Sequence, residues 1–563
     1  MVEICNCKLK RDDENMEKYT IGVDFGTGSG RVAIVNVNTG EIKGRHETIY
    51  KHGVIDEKLP GSTFTLEKDI VLQHPQDYLD VLETSIPISL KESGIKSSDI
   101  IGIGINFTAC TVISVDECLK PMCFKDEWKH NPHSWVKLWK HHAAQNQADQ
   151  INRLAVERGE PWLKRYGGKI SSEWMLPKVM EIMEKAPALY EETAFFMEAV
   201  DWLTSLMTGQ LKRNNCAAGF KGMWSSKNCY VDTDFLKALN PKLEHVYGNK
   251  LSGEVCSVGE SAGLLTAEFA DKVGLIEGTP VALGLIDAHA GALGSGVVSP
   301  GTMAMVMGTS TCHIILSEQE KFINGISGVV ENGIIPGYYA YEGGQAAVGD
   351  IFEWFINENV PTYIKAEADR VNKSLYEYME LLADDLEPGS NGLLALDWHN
   401  GCRTPLVDAN LSGIIVGLRL NTKPEEIYRA LLEATAYGSK LIIDQFKAEG
   451  IEVKELVACG GLPQRNKLLM QIYADVTGIP IKVASNTITP AIGSAINGAV
   501  AAGAKNGGYD TFKEAAEAMK SISNVVYKPI HKNTEKYLEI YKEYIKLMDY
   551  FGANDVMKKL KSL

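Results

Sequence analysis

Tyr19-Thr20-Ile21-Gly22-Val23-Asp24 sets apolar residues between small or polar ones and runs through Phe25 into Gly26-Thr27-Gly28-Ser29-Gly30, after which Arg31 to Val37 alternates again. The pattern predicts a strand, a glycine turn and a returning strand. A Walker loop or a dinucleotide fingerprint needs a helix after its glycines, and the Walker lysine is also missing. The glycines therefore close a hairpin. Asn38-Thr39-Gly40 supplies a second turn before another extended stretch, so the fold opens as an antiparallel meander.

The same grammar returns downstream, with Thr302 to Met307 as a strand, Gly308-Thr309-Ser310-Thr311 as a turn and Cys312 to Leu316 as the returning strand. Two such units, each with Gly-Thr at the bend and each opening one half of the chain, predict duplicated domains facing each other across a cleft. Between them the reading is helical, with apolar residues at helical spacing over Pro132 to Ala155, Leu176 to Glu184 and Ala194 to Thr208. Thr422-Lys423-Pro424-Glu425 has capping-box spacing and starts a helix through Lys447. Glu455 to Cys459 reads as a buried strand that ends at Gly460-Gly461. A helix over Asn466 to Val476, the β-like Pro480 to Ala484 and an amphipathic helix after Thr534 follow.

At 563 residues the chain is too long for one core, and a small disulfide-stapled module is excluded. Lys plus Arg total 57 against 72 Asp plus Glu, a formal charge of -15 that repels nucleic acid and anionic lipid in the absence of a basic block. No nucleic-acid or membrane partner is expected. Eleven cysteines without paired CxxC motifs fit reduced thiols and a cytoplasmic setting. Met1 to Lys18 is polar and lacks an apolar signal core, so it reads as a loose extension in which Cys5 and Cys7 carry no metal; translation could start at Met1 or Met16.

Three glycine-rich places invite a ligand. Asp24 to Gly30 combines a carboxylate at a strand end with hydroxyls and glycines that let backbone N–H groups approach an anion. Gly308-Thr309-Ser310-Thr311 offers a second donor set, and Gly460-Gly461 a surface free of side chains for a flat base. Between the first two, Gly284-Leu285-Ile286-Asp287-Ala288-His289-Ala290-Gly291 ends an apolar run on a carboxylate. Asp287 is a candidate general base for an alcohol, or else an ordinary helix N-cap.

In this order the three places resemble the two phosphate elements and the adenosine element of the scaffold shared by actin, heat-shock ATPases and sugar kinases. With Asp287 added, the chain resembles the FGGY carbohydrate kinases over about 19–504. The resemblance also rests on Phe107-Thr108-Ala109-Cys110-Thr111, Leu138-Trp139-Lys140-His141-His142-Ala143-Ala144, Tyr166-Gly167-Gly168-Lys169-Ile170-Ser171-Ser172-Glu173-Trp174 and Tyr341-Glu342-Gly343-Gly344-Gln345. It implies an α/β fold of two duplicated ribonuclease-H-like (actin-like ATPase) domains, each a mixed sheet flanked by helices, around a central cleft. The implied organisation is a polar extension over 1–18, a sugar-binding domain over 19–295, a nucleotide-binding domain over 296–530 and a C-terminal helix over 531–563.

The activity the resemblance implies is ATP-dependent phosphorylation of L-ribulose at its C5 hydroxyl, as in L-arabinose catabolism. Another ketopentose or pentitol (D-ribulose, xylulose, ribitol) is the near alternative, and a non-kinase actin-like ATPase the distant one. Glycerol kinases resemble Asn-Gln-Arg-Glu-Thr where this chain has Asn106-Phe107-Thr108-Ala109-Cys110, which leaves room near Ala109 for a five-carbon ketose. By resemblance the ketose lies near Ala109, Lys221, Asp287 and Glu342, with Asp287 as the base. Thr27, Gly308 and Thr309 hold phosphates, Gly460 and Gly461 border the adenosine, and Asp24 sits near Mg2+, through water. A homodimer is left open.

For Lys221 and Glu342 composition alone favours an exposed charge. His130, His133, His141 and His142 could suggest zinc, but His141 and His142, adjacent on a predicted helix, point apart. Trp135 and Trp139, four residues apart, would share one face of that helix for core packing or sugar stacking.

Overall fold

A computed structural model describes residues 17–63, 65–390 and 392–562. Met1, Cys5, Cys7 and Met16, and with them most of the predicted extension, lie outside the described residues. Strand β1 (Tyr19–Phe25) pairs antiparallel with β2 (Ser29–Asn36), and β2 with β3 (Ile42–Ile49). On its other side β1 runs parallel to β4 (Ile100–Phe107). β5 (Ser261–Leu264), β6 (Pro280–Ala282) and β7 (Leu285–Ile286) complete the sheet, in the order β5-β6-β4-β1-β2-β3 with β7 also on β4. Every residue of β1 and β4 is buried, as a strand covered on both faces requires.

The second sheet repeats the plan. Its strands are β8 (Gly301–Met307), β9 (Thr311–Ser317), β10 (Gly328–Glu331), β11 (Tyr339–Gln345), β12 (Val453–Cys459), β13 (Ile481–Val483) and β14 (Val526–Tyr527), in the order β10-β11-β9-β8-β12-β13-β14. The hairpin β8-β9 is antiparallel and β12 lies parallel to β8, as β1, β2 and β4 are arranged in the first sheet.

Seven helices matter below: α1 (Pro75–Ser93), α2 (Met175–Lys185), α3 (Asn215–Lys221), α4 (Asp287–Gly294), α5 (Pro424–Ala448), α6 (Thr489–Ala502) and α7 (His531–Ala553). α1 covers β2 and β3. α4 and α6 pack on each other between the two sheets, and each helix crosses over. α6 comes from the second half of the chain and lies on β1 and β4 of the first sheet, whereas α4 follows the first sheet and touches β8 of the second. The approach is close enough to require glycine, since a Cβ on Gly104 would sit 1.9 Å from the Ser494 carbonyl oxygen. Asn106 Nδ2 locks the contact by donating to Pro490 O (3.0 Å) and Ser494 Oγ (2.8 Å).

The predicted helices of the middle segment need correcting. Pro132–Ser134 is a single 3-10 turn, Val136–Lys137 is a short strand paired with Leu72–Gln73, and the helix begins only at Gln145. Backbone pairing explains the break: the Leu138 N–H donates to Val71 O and the His142 N–H to Asp69 O, both at 3.0 Å, so neither is left for a helical bond, and the buried Lys137 and His141 turn toward Glu181 of α2, at 3.0 and 2.8 Å. His141 and His142 are therefore not on a helix, and Trp135 and Trp139 share no helix face. Phe195–Glu198 is a strand against Val112–Val115, and the helix predicted from Ala194 starts at Ala199. At α5 the capping pair is shifted by one residue. Pro424 occupies the first turn, so the N–H of Lys423 donates to Glu426 Oε2 (2.7 Å), while Thr422 Oγ1 accepts from Arg419 N. Among the described residues no helix is long and apolar enough to cross a membrane.

Candidate active site

Strand register builds the site. Phe25 of β1 and Ile286 of β7 are both level with Phe107 of β4, so three chain segments leave the sheet at one end. The residues that follow are the Gly26–Gly28 turn, Thr108-Ala109 and Asp287. In the second sheet Val306 is level with Cys459, which likewise brings Gly308-Thr309 beside Gly460-Gly461. A Cβ on Gly460 (φ +102°) would lie 2.2 Å from the Met307 carbonyl oxygen, so glycine is required for the two loops to touch.

Asp287 is the first residue of α4 and half-buried, with Oδ1 accepting from the N–H of Ala288 at 2.7 Å. Burial, and after it the charge of Asp24, pushes its carboxyl up to about 7, with Glu342 adding to the rise and Ala288 N–H and Lys221 opposing it. A base in that range is poised near neutrality. Asp24 is buried at the end of β1. Its carboxyl is also raised by burial, which Arg31, 3.4 Å away, partly counters.

Lys221 and Glu342, which composition would place on the surface, are both buried. Lys221 ends α3 and Glu342 lies in β11, so they join the two halves of the chain: Lys221 Nζ donates to both carboxylate oxygens at 2.9 Å. Burial would raise the Glu342 carboxyl, but Lys221, with His289 behind it, more than reverses this and holds it well below the usual range. Burial works against the Lys221 ammonium too, and Glu342 more than offsets it. His289, buried two residues into α4, places Nε2 3.2 Å from Glu342 Oε2, off the line of a hydrogen bond, and Nδ1 3.0 Å from Cys216 Sγ. Ala109 is half-buried, next to Cys110, whose φ of 58° is unusual for a residue with a side chain.

In the two glycine turns the N–H groups of Thr27, Gly28 and Thr309 make no hydrogen bond within the described residues, and Gly28 and Gly461 face open space where a Cβ would stand. Such bare, donor-rich loops suit an anion and a flat base. Asp24 is engaged, among the described residues, only by the long Arg31 contact, which leaves carboxylate capacity for a cation. Among the described residues no group of three or more His, Cys, Asp or Glu is placed to hold a metal ion.

Two residues, Lys178 and Arg403, escape the reading of the sequence, and a third, Trp139, is read there for core packing or sugar stacking and not for the glycine turn it meets. Trp139 Nε1 donates to Thr27 Oγ1 at 3.1 Å, an approach hidden by the mistaken helix. Arg403, from the loop after Cys402, adds a cation near Glu173 and Glu342, and nothing in its local sequence marks it. Lys178 is fully buried in α2; a lysine between Leu176-Pro177 and Val179-Met180 was the available signal. A cavity of about 590 Å³ lies elsewhere, between the Thr39–Arg45 hairpin edge and residues 485–486 and 520–521.

Residues 19–294 match the FGGY family of carbohydrate kinases, N-terminal domain, and residues 303–502 match its C-terminal domain. The chain belongs to the FGGY family of carbohydrate kinases. This FGGY kinase is 54% identical over 547 residues to a ribulokinase of Geobacillus thermodenitrificans, covering 97% of each chain. It is 52% identical over 548 residues to a ribulokinase of Halalkalibacterium halodurans, again covering 97% of each. Among solved structures, a ligand-bound xylulose kinase from Lactobacillus acidophilus superposes with a TM-score of 0.78 at 17% identity, covering 95% of this kinase and 99% of that chain. A glycerol kinase from Plasmodium falciparum with ADP gives 0.75 at 16% identity, covering 95% and 98%. These two likenesses establish the shared two-domain α/β fold.

Proposed function

We propose that this kinase transfers the terminal phosphoryl group of ATP to the C5 hydroxyl of L-ribulose, giving L-ribulose 5-phosphate for L-arabinose catabolism in the cytoplasm. The observation that carries the reading is the register that puts Asp287 at the strand ends where the Thr27 turn and the Ala109 loop also leave the sheet. Relatives at 52–54% identity that bear the name ribulokinase support the choice of sugar. The described cysteines, all free thiols, support the compartment.

In this reading Lys221 and Glu342 hold sugar hydroxyls, and Ala109 leaves the space that a five-carbon ketose needs. The carboxylate of Asp287 orients the C5 hydroxyl and takes its proton as the oxygen bonds to phosphorus. Free N–H groups of Thr27, Gly28 and Thr309 receive phosphate oxygens, Gly308 keeps its turn clear of side chains, and Gly460 with Gly461 borders the adenosine. Asp24 would hold Mg2+ through water, and the ion, when bound, neutralises phosphate charge.

ADP release measured with L-ribulose, D-ribulose, both xyluloses, ribitol and glycerol tests the proposal. L-Ribulose is expected to give the highest kcat/KM, with glycerol at least about 100-fold lower because unmatched polar groups in the pocket stay unsatisfied. ATP turnover indifferent to every acceptor would contradict it.

A further inference from the structure

Lys178 sits in the middle of α2 with no exposed surface, and its ammonium donates to two backbone carbonyls, Cys110 O at 2.6 Å and Leu138 O at 2.9 Å. These acceptors belong to different parts of the site. Cys110 follows Ala109 in the sugar-side loop, and Leu138 precedes Trp139, whose indole N–H donates to Thr27 in the phosphate turn. Glu198 and Glu173 act on the ammonium only through space, and burial pulls it down to about 8. A buried ammonium held by carbonyls alone is costly, and a methionine would fill the same space without that cost. Packing therefore does not account for a lysine here.

The loop it grips needs holding. Cys110 has a left-handed backbone (φ 58°), and the loop closes on itself through Thr108 and Thr111, whose hydroxyl oxygens are 2.7 Å apart. α2 is in turn fixed to the 136–141 segment, because Glu181, one turn beyond Lys178, accepts from Lys137 (3.0 Å) and lies 2.8 Å from His141 Nε2.

We propose that Lys178 is a positioning residue that ties the sugar loop at Ala109–Cys110 to the Leu138–Trp139 segment behind the phosphate turn, so that one buried amine sets the geometry of both subsites. The proposal rests on the reading of Ala109 and Thr27 given above, and it makes the two subsites answer to one substitution. Small displacements of both loops weaken both substrates at once.

The test compares Lys178→Met and Lys178→Arg with wild type, in steady-state kinetics and thermal melts, using whichever acceptor the wild type turns over best. Lys178→Met is expected to melt cooperatively and to raise the KM for both sugar and ATP by about tenfold or more, with Lys178→Arg, which keeps its donors, between the two. If Lys178→Met does not fold, Lys178→Arg is read by the same requirement that both constants rise. A rise in one KM alone, two unchanged KM values, or loss of cooperative melting in both variants would overturn the proposal. Wild type that turns over ATP with no acceptor would instead overturn the sugar-kinase reading, so the two failures are distinguishable.

Discussion

Asp287→Asn is expected to bind ATP as wild type does and to lose phosphoryl transfer by about 10²- to 10⁴-fold in kcat. The amide keeps the size and can still accept from Ala288 N–H, as Asp287 Oδ1 does at 2.7 Å, so the start of α4 is preserved while the proton acceptor is gone. Stability should move the other way. Burial and Asp24 raise this carboxyl from an ordinary 3.8 to about 7, so the folded state binds the proton more tightly than the unfolded chain. The resulting stability is complete below about pH 4 and is lost as pH rises toward 7. Asn cannot ionise, so the variant should melt at a higher temperature than wild type at pH 8, with the gap closing toward pH 4. Wild-type kcat/KM should fall about tenfold per pH unit below 7, where the base is protonated, and level off above it. Near-normal turnover of the variant would remove Asp287 from the base role.

Lys221→Met is the second large effect. It leaves the Glu342 carboxylate buried with no ammonium beside it, which costs about 3–5 kcal/mol of stability, measurable by urea unfolding. The kcat/KM for the ketose is expected to fall by about 100-fold or more, while the KM for ATP stays near wild type. Lys221→Met with Glu342→Gln should recover much of the stability, because neither charge then remains buried alone, and little of the turnover. A double variant that regained full turnover would reduce the pair to a bolt between the two halves.

Much of this was legible in the residues, for identifiable reasons. Strands β1, β2, β8 and β9 announce themselves because alternation and glycine turns are local, and their repetition gave the duplicated domains. Asp287 stood out as a carboxylate ending an apolar run. What stayed hidden depends on contacts distant in sequence. Lys221 and Glu342 are 121 residues apart, and only the folded chain shows that each is buried against the other. The 132–144 segment has helical spacing, yet Val136–Lys137 pairs with Leu72–Gln73 and the N–H groups of Leu138 and His142 go to Val71 O and Asp69 O, a tertiary demand that overrides local pattern. α6 crossing to the opposite sheet follows from the glycines of β1 and β4, which read locally as strand residues of little note.

The most direct measurement is a crystal structure with the ketose and a non-hydrolysable ATP analogue bound. An Asp287 carboxylate oxygen within about 2.6–3.2 Å of the C5 hydroxyl, with that hydroxyl facing the terminal phosphorus, is the predicted result. A C5 hydroxyl turned away from Asp287, with some other side chain beside it, would contradict the account.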